Sequence, residues 1–253
     1  MKTCCVENPI TVMQRREIKY LLNPGQTAYI RKCLKGHMAV DEFGRTSIQS
    51  LYYDTPDYRL IRYSLERPAF KEKIRLRSYG LATETSPVFL ELKRKAEHVV
   101  YKRRIQSTIG ATEQFFAGKT NAFPEGQIGK EITVFRDYYK KLQPACMIIY
   151  DRVAYYESGG NVRLTIDENP RYRMYDLNLT SSLQGELLLP EGWTILEIKI
   201  QDAMPIWLAD ILDKGKIYKC SFSKYGEAYK REIAKIYQIK EALKCSVPYI
   251  QQQ

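Results

Sequence analysis

K-E-K-I-R-L-R-S-Y-G (Lys71–Gly80), V-F-L-E-L-K-R-K (Val88–Lys95) and V-V-Y-K-R-R-I (Val99–Ile105) follow one another closely in the chain. In an extended backbone successive side chains point to opposite faces. Lys73, Arg75 and Arg77 therefore share one face, with Ile74 and Leu76 behind them. Glu91, Lys93 and Lys95 likewise share a face, with Leu90 and Leu92 opposite. Each segment reads as a strand with one aliphatic face and one charged face, mostly cationic and broken by a carboxylate.

The same pattern recurs along the chain. Glu17 and Lys19 oppose Ile18 and Tyr20, and Tyr150 and Arg152 oppose Ile149 and Val153. Arg163 and Asp167 oppose Val162, Leu164 and Ile166, and Glu197 and Lys199 oppose Leu196, Ile198 and Ile200. Cations directly opposed on neighbouring strands repel, so a simple solvated sheet would mix its signs more evenly. Strands closed into a barrel with helices outside would instead turn their charged faces into a positive lumen. Such a lumen suits a multiply charged anion.

Composition agrees. The chain has 253 residues, 44% of them apolar, with 40 Lys and Arg against 29 Asp and Glu and a net charge of +11. One domain with a sizeable core and phosphate-rich partners is expected. No run of 18 apolar residues exists, so no membrane-spanning helix is expected. Met1–Arg15 lacks the apolar stretch of a secretory signal. Six cysteines without a C-x-x-C pair point away from a disulfide framework or zinc site and toward a reducing cytoplasm.

Along the chain, residues 1–13 read as a loose leader, 14–244 as one domain and 245–253 as a frayed tail. Asn23 can cap a helix that opens at Pro24 and turns Ala28, Ile30, Cys33 and Leu34 inward. Ile132, Phe135, Tyr139 and Leu142 recur at helical spacing, and Ser158–Asn161 marks a hairpin turn. A long helix is expected over about Lys224–Leu243. The phosphate-cradling glycine loops are missing, as are H-E-x-x-H and G-x-S-x-G. His37 and His98 are the only histidines. Many cations and a few inward carboxylates remain, which is the equipment of phosphoryl transfer, where positioning and charge neutralisation dominate.

In order, the chain carries R-x-x-x-K-Y (Arg15–Tyr20), S-L-Y-Y-D-T-P (Ser50–Pro56), K-I-R-L-R-S-Y-G, F-L-E-L-K, Y-K-R-R, Y-D-R-V-A-Y, V-R-L-T-I-D, I-L-E-I-K and F-S-K-Y-G. This succession resembles the VTC domain, the catalytic domain of vacuolar transporter chaperone polyphosphate polymerases, within the triphosphate tunnel metalloenzyme superfamily. The resemblance covers about Gln14 to Tyr229. It implies an α+β fold, an eight-stranded antiparallel β-barrel with helices packed outside. It also implies an enzyme that moves the γ-phosphoryl group of ATP onto polyphosphate beside Mn²⁺ or Mg²⁺. Its partners would be ATP and polyphosphate or triphosphate, with nucleic acid not expected.

Carried over by motif, Lys19, Arg75, Arg77, Lys93, Lys102, Arg152 and Arg163 would bind phosphates. Tyr150, Lys199, Ser223 and Lys224 would contact the chain or the nucleotide phosphates, and Glu197 would hold the metal. Glu91 would either assist the metal or orient Lys93 and its neighbours. Because crowded cations repel, losing Arg75 or Arg152 is expected to cost little stability. Hydrolytic relatives open with E-x-E-x-K, whereas this chain has Arg15-Arg16-Glu17-Ile18-Lys19. Fewer carboxylates disfavour a water-activating two-metal site, so the opening resembles the polymerase branch. A triphosphate hydrolase and a non-catalytic polyanion-binding module are the alternative readings.

Overall fold

The structure, a computed structural model, describes residues 16–246 except 98, 120–125, 158–159, 161 and 202, and omits the side chains of 237–246. The expected leader 1–13, Arg15, His98 and the tail beyond 246 lie outside the described residues.

The chain runs β1 (Arg16–Leu22), α1 (Pro24–Leu34), β2 (Ala39–Asp54), α2 (Arg59–Leu65), β3 (Phe70–Tyr79), β4 (Val88–Ala96) and β5 (Val99–Ser107). It continues through α3 (Ile109–Phe116), α4 (Gln127–Tyr139), β6 (Gln143–Tyr156), β7 (Val162–Arg173), β8 (Glu186–Leu187) and β9 (Thr194–Ile200). It ends with α5 (Ile206–Lys214), β10 (Lys219–Cys220) and α6 (Lys224–Ser246), which takes in the first two residues of the expected tail.

All strands join one antiparallel sheet in the order β10-β1-β9-β7-β6-β2-β3-β4-β5, with β8 on β7. Two differences from the expected eight-stranded barrel follow. Two-residue strands β8 and β10 bring the count to ten. Among the described residues the backbone ladder also stays open between β5 and β10. The sheet nonetheless curls until side chains meet across it, with Lys93 Nζ of β4 3.3 Å from Glu17 Oε2 of β1. Register shifts in β2 at Val40/Arg45 and Tyr52/Tyr53, and between β6 and β7 at Ile149/Asp151, supply bends of the kind that curl a sheet.

The aliphatic faces lie where the alternation puts them. Ile74, Leu76, Leu90 and Leu92 pack with Ile132 and Phe135 of α4 and Phe115 of α3. Leu164, Ile166, Leu196 and Ile198 pack with Ile30 and Leu34 of α1 and Leu208 and Leu212 of α5. Asn23 and Gln26 form a reciprocal capping box that starts α1, with Pro24 in its first turn. Thr27, rather than the expected Ala28, is the buried residue of that turn, and its hydroxyl meets Thr194 at 2.9 Å.

One helix departs from the expected outer position. The first turns of α6 enter the curl, where Tyr225 and Ala228 pack with Ile48, Ile148, Tyr150 and Tyr172 on the inner face. These inner side chains are apolar, so that end of the lumen needs a cover. Asp54 fixes the cover: its carboxylate accepts from the backbone N–H groups of Thr55, Leu60 and Ile61 and from the Tyr225 hydroxyl at 2.8 Å. A Cβ at Gly226 would lie 3.1 Å from Leu65, so glycine permits the close approach of α6 to α2.

Candidate functional site

The inner face outside the apolar cover holds three clusters, each built around acidic groups. Register forms the first. Across β3, β4 and β5, Arg75, Glu91 and Arg104 stand side by side, and in the next row Lys73, Lys93 and Lys102 do the same. Glu91, with 1% of its side chain exposed, lies 2.7 Å from Arg75 Nη2, 3.2 Å from Lys102 Nζ, 3.6 Å from Arg77 Nη1 and 3.7 Å from Arg104 Nε. Burial works to raise its pKa, but Arg75, Arg77 and Lys102 hold the carboxyl at about 2. Lys93 turns away from Glu91 to Glu17, so Glu91 orients the arginines and Lys102 rather than Lys93.

Asp167 of β7 centres the second cluster. It is fully buried and accepts from Arg152 Nε at 2.6 Å and Nη2 at 2.9 Å, and from Lys224 Nζ. Burial opposes its charge, yet Lys224 and Arg152 keep its pKa at about 2. The Tyr150 ring lies 4.2 Å from Lys224 Nζ and 5.1 Å from the Arg152 guanidinium carbon. Arg77 Nη2 donates to the Tyr150 hydroxyl at 3.4 Å. Burial pushes that phenol up, but Arg77, Arg152 and Lys224 bring it down to about 8.

The third cluster joins β1 and β9. Glu197 lies 3.0 Å from Lys199 Nζ and 3.8 Å from Lys19 Nζ, and its carboxyl meets that of Glu17. Burial opposes the Glu197 charge, but Lys199, Lys19 and Arg152 hold its pKa far below the usual range. Among the described residues no group of three or more His, Cys, Asp or Glu forms a complete metal cage. Glu17 and Glu197 share one face of the paired strands β1 and β9, and two carboxylates so placed would fit a hard divalent ion that takes its other ligands from phosphate oxygens and water.

Lys19, Tyr150, Arg152, Lys199, Ser223, Lys224, Arg75, Arg77, Lys93 and Lys102 thus converge on one inner surface with Glu91 and Glu197. Arg163 is set apart, exposed at the end of β7 beside Lys199. Around Glu91 and Asp167 the wall is not a field of repelling cations. Arg75 and Arg152 each neutralise a buried carboxylate, so truncating either strands that carboxylate and costs stability, contrary to the expectation from charge crowding.

Lys73 was visible in the alternation but carried no assigned role. Its Nζ donates to Ser223 Oγ at 3.0 Å, and Ser223 Oγ in turn accepts from Gly226 N at the start of α6. Burial, then Lys71, Lys19, Lys93 and Arg75, pull the Lys73 ammonium down to about 7. Burial outweighs the support of Glu91 to hold Lys102 at about 8, helped by Arg77 and Arg75. An unfolded lysine titrates near 10.4, so from about pH 7 upward the unfolded chain binds the proton that folded Lys73 lacks. The stability of the empty protein should therefore rise with pH through that window. A polyanion favours the ammonium, so its binding should take up protons, and affinity should fall as pH rises above about 7. Calorimetry of tripolyphosphate binding at pH 7–8, in two buffers of different ionisation heat, measures this uptake. Binding without proton uptake would remove Lys73 from the anion surface.

The site is thus a curled antiparallel sheet with anchored cations on its inner face. The chain belongs to the VTC domain family, whose sequence profile matches residues 14–233. No curated protein matches it. Among solved structures it is similar to an adenylate cyclase candidate from Bacillus halodurans, at 14% identity and a TM-score of 0.51, over 83% of this chain and 96% of that one. It is also similar to an adenylyl cyclase candidate from Hippeastrum described as having a dominant triphosphatase activity, at 17% identity and a TM-score of 0.47, over 83% and 92% of the two chains. At these identities the likeness is one of fold.

Proposed function

We propose that this VTC-domain protein is an ATP-dependent polyphosphate polymerase. The observation that carries the reading is the allocation of inner-face carboxylates. Glu91 and Asp167 each anchor an arginine, whereas Glu197 and Glu17 are ion-paired with lysines, whose flexible ammoniums can give way to a divalent ion such as Mn²⁺ or Mg²⁺. Such an ion would neutralise charge on the β- and γ-phosphoryl oxygens of ATP.

The chain's own groups do the rest. Arg75, Arg77 and Lys102, set by Glu91, grip phosphate oxygens in a fixed geometry, and Arg152 and Lys224 do the same around Asp167. Lys93, Lys73 and Lys19 continue the cationic track on which the acceptor lies. A terminal oxygen of the acceptor polyphosphate attacks the γ-phosphorus; that P–O bond forms as the bond to the β,γ-bridging oxygen breaks, and ADP leaves. Holding acceptor and donor in line can supply on the order of 7 kcal/mol of the barrier reduction. Among the described residues the other inner-face carboxylates, Glu91 and Asp167, are tied up in ion pairs rather than free to activate water.

Purified protein with ATP and Mn²⁺ should therefore yield ADP and a long polymer resolvable on a gel, with free phosphate a minor product. Stoichiometric phosphate and no polymer, even with a short polyphosphate primer, would identify a hydrolase instead. Among the described residues no helix is long and apolar enough to cross a membrane.

A further inference from the structure

Thr165 lies on β7 between Arg163 and Asp167 on the inner face, in register with Glu197 on β9 and with Ala154 on β6. The residue is 8% exposed, and its hydroxyl is buried without a hydrogen-bond partner among the described residues. The polar groups around it are engaged elsewhere: Glu197 with Lys199, Lys19 and Glu17, and Asp167 with Arg152 and Lys224. A strand threonine cannot turn its hydroxyl back onto a carbonyl four residues earlier, as a helical one does. On one side its cross-strand neighbour is an alanine, which offers the hydroxyl no polar partner. A buried hydroxyl with nothing to bond destabilises the empty protein, and valine would fill nearly the same volume without that cost.

Resting on the polyphosphate reading above, we propose that Thr165 is a substrate-binding residue whose hydroxyl donates to a non-bridging phosphate oxygen beside the Glu17–Glu197 pair. Its place in the row fits. Arg163 and Asp167-bound Arg152 lie on the same inner face. The contact fixes one phosphate of the chain next to the candidate metal pair, where the terminal groups must be held for transfer.

Calorimetric titration of the whole protein with tripolyphosphate, with and without Mn²⁺, tests this. Thr165→Val should bind about tenfold more weakly in both conditions, while the empty variant melts at or above the wild-type temperature. Thr165→Ser should restore the affinity, and Thr165→Ala should lose it as Val does. Wild-type affinity in a folded Thr165→Val, or a Thr165→Val that fails to fold, would show the hydroxyl to be satisfied within the protein and overturn the proposal. A loss seen only with Mn²⁺ would move the hydroxyl from phosphate to a metal-bound water and likewise overturn it. If wild-type protein does not bind tripolyphosphate at all, the polyphosphate reading falls and this inference with it. If wild type binds and the valine variant binds equally, this inference falls alone.

Discussion

Glu197→Gln is expected to reduce ATP turnover by about a hundred- to a thousandfold, the scale of losing several kcal/mol of charge stabilisation at a transferring phosphoryl group. The substitution keeps the shape and removes the charge, and hard divalent ions prefer ionised oxygen ligands. The variant should fold but melt below wild type, because Lys199 and Lys19 lose their buried partner while remaining about one-third exposed themselves. Glu17→Gln should give a smaller loss of the same kind, with both variants needing more Mn²⁺ to reach half-maximal rate. Turnover measured across a Mn²⁺ titration distinguishes the outcomes. A Glu197→Gln protein with wild-type rate at limiting metal would place the ion elsewhere.

The second large effect falls on stability. Glu91→Gln leaves Arg75, Arg77, Lys102 and Arg104 around a neutral amide that is itself buried, although Lys102 and Arg104 are partly exposed. Removing one partner of a buried charge cluster typically costs about 3–5 kcal/mol, which for a chain of this length lowers the melting temperature by roughly 10 °C. Tripolyphosphate should recover much of that loss, since it supplies the missing negative charge and binds only the folded state. The pH profile has a defined sign. Glu91 in the folded protein titrates at about 2, below the usual carboxylate range, so its contribution is present above about pH 4.3 and is lost as pH falls toward 2. The glutamine variant should lack that acid-side loss. If Glu91→Gln melts with wild type and only metal affinity changes, Glu91 is a metal ligand rather than an anchor for the arginines.

How far the sequence foretells this site depends on the kind of information required. A period of two is enough to say that Lys73, Arg75 and Arg77 share a face, and the structure keeps them there. The partner of each cation is set by register between strands, which no single strand carries. Nothing in F-L-E-L-K reveals that Glu91 falls between Arg75 and Arg104, or that Lys93 reaches Glu17. Asp167 was readable as an inward carboxylate in V-R-L-T-I-D, but its pairing with Lys224 depends on α6 entering the curl from 57 residues away. Arg104 was hidden for a simpler reason: in Y-K-R-R the inward residues are Lys102 and Arg104, and their spacing of two was the available signal. The departure of α6 from the outer layer had a signal too, since Ile48 and Ile148 are apolar on the charged side of their strands.

On the proposed polymerase reading, the open seam between β5 and β10 changes how a long product is retained. A closed cylinder holds a polymer as a ring holds a thread, and release requires an end to pass through. With no backbone bonds joining those edges among the described residues, the enclosure is topologically a trough. Among the described residues the Lys93–Glu17 ion pair and the Lys73–Ser223 hydrogen bond reach across it. A chain can then be laid in or lifted out along its length, and its dwell time is set by counterions rather than by threading. Added salt should shorten the chains made per encounter far more than it slows each transfer.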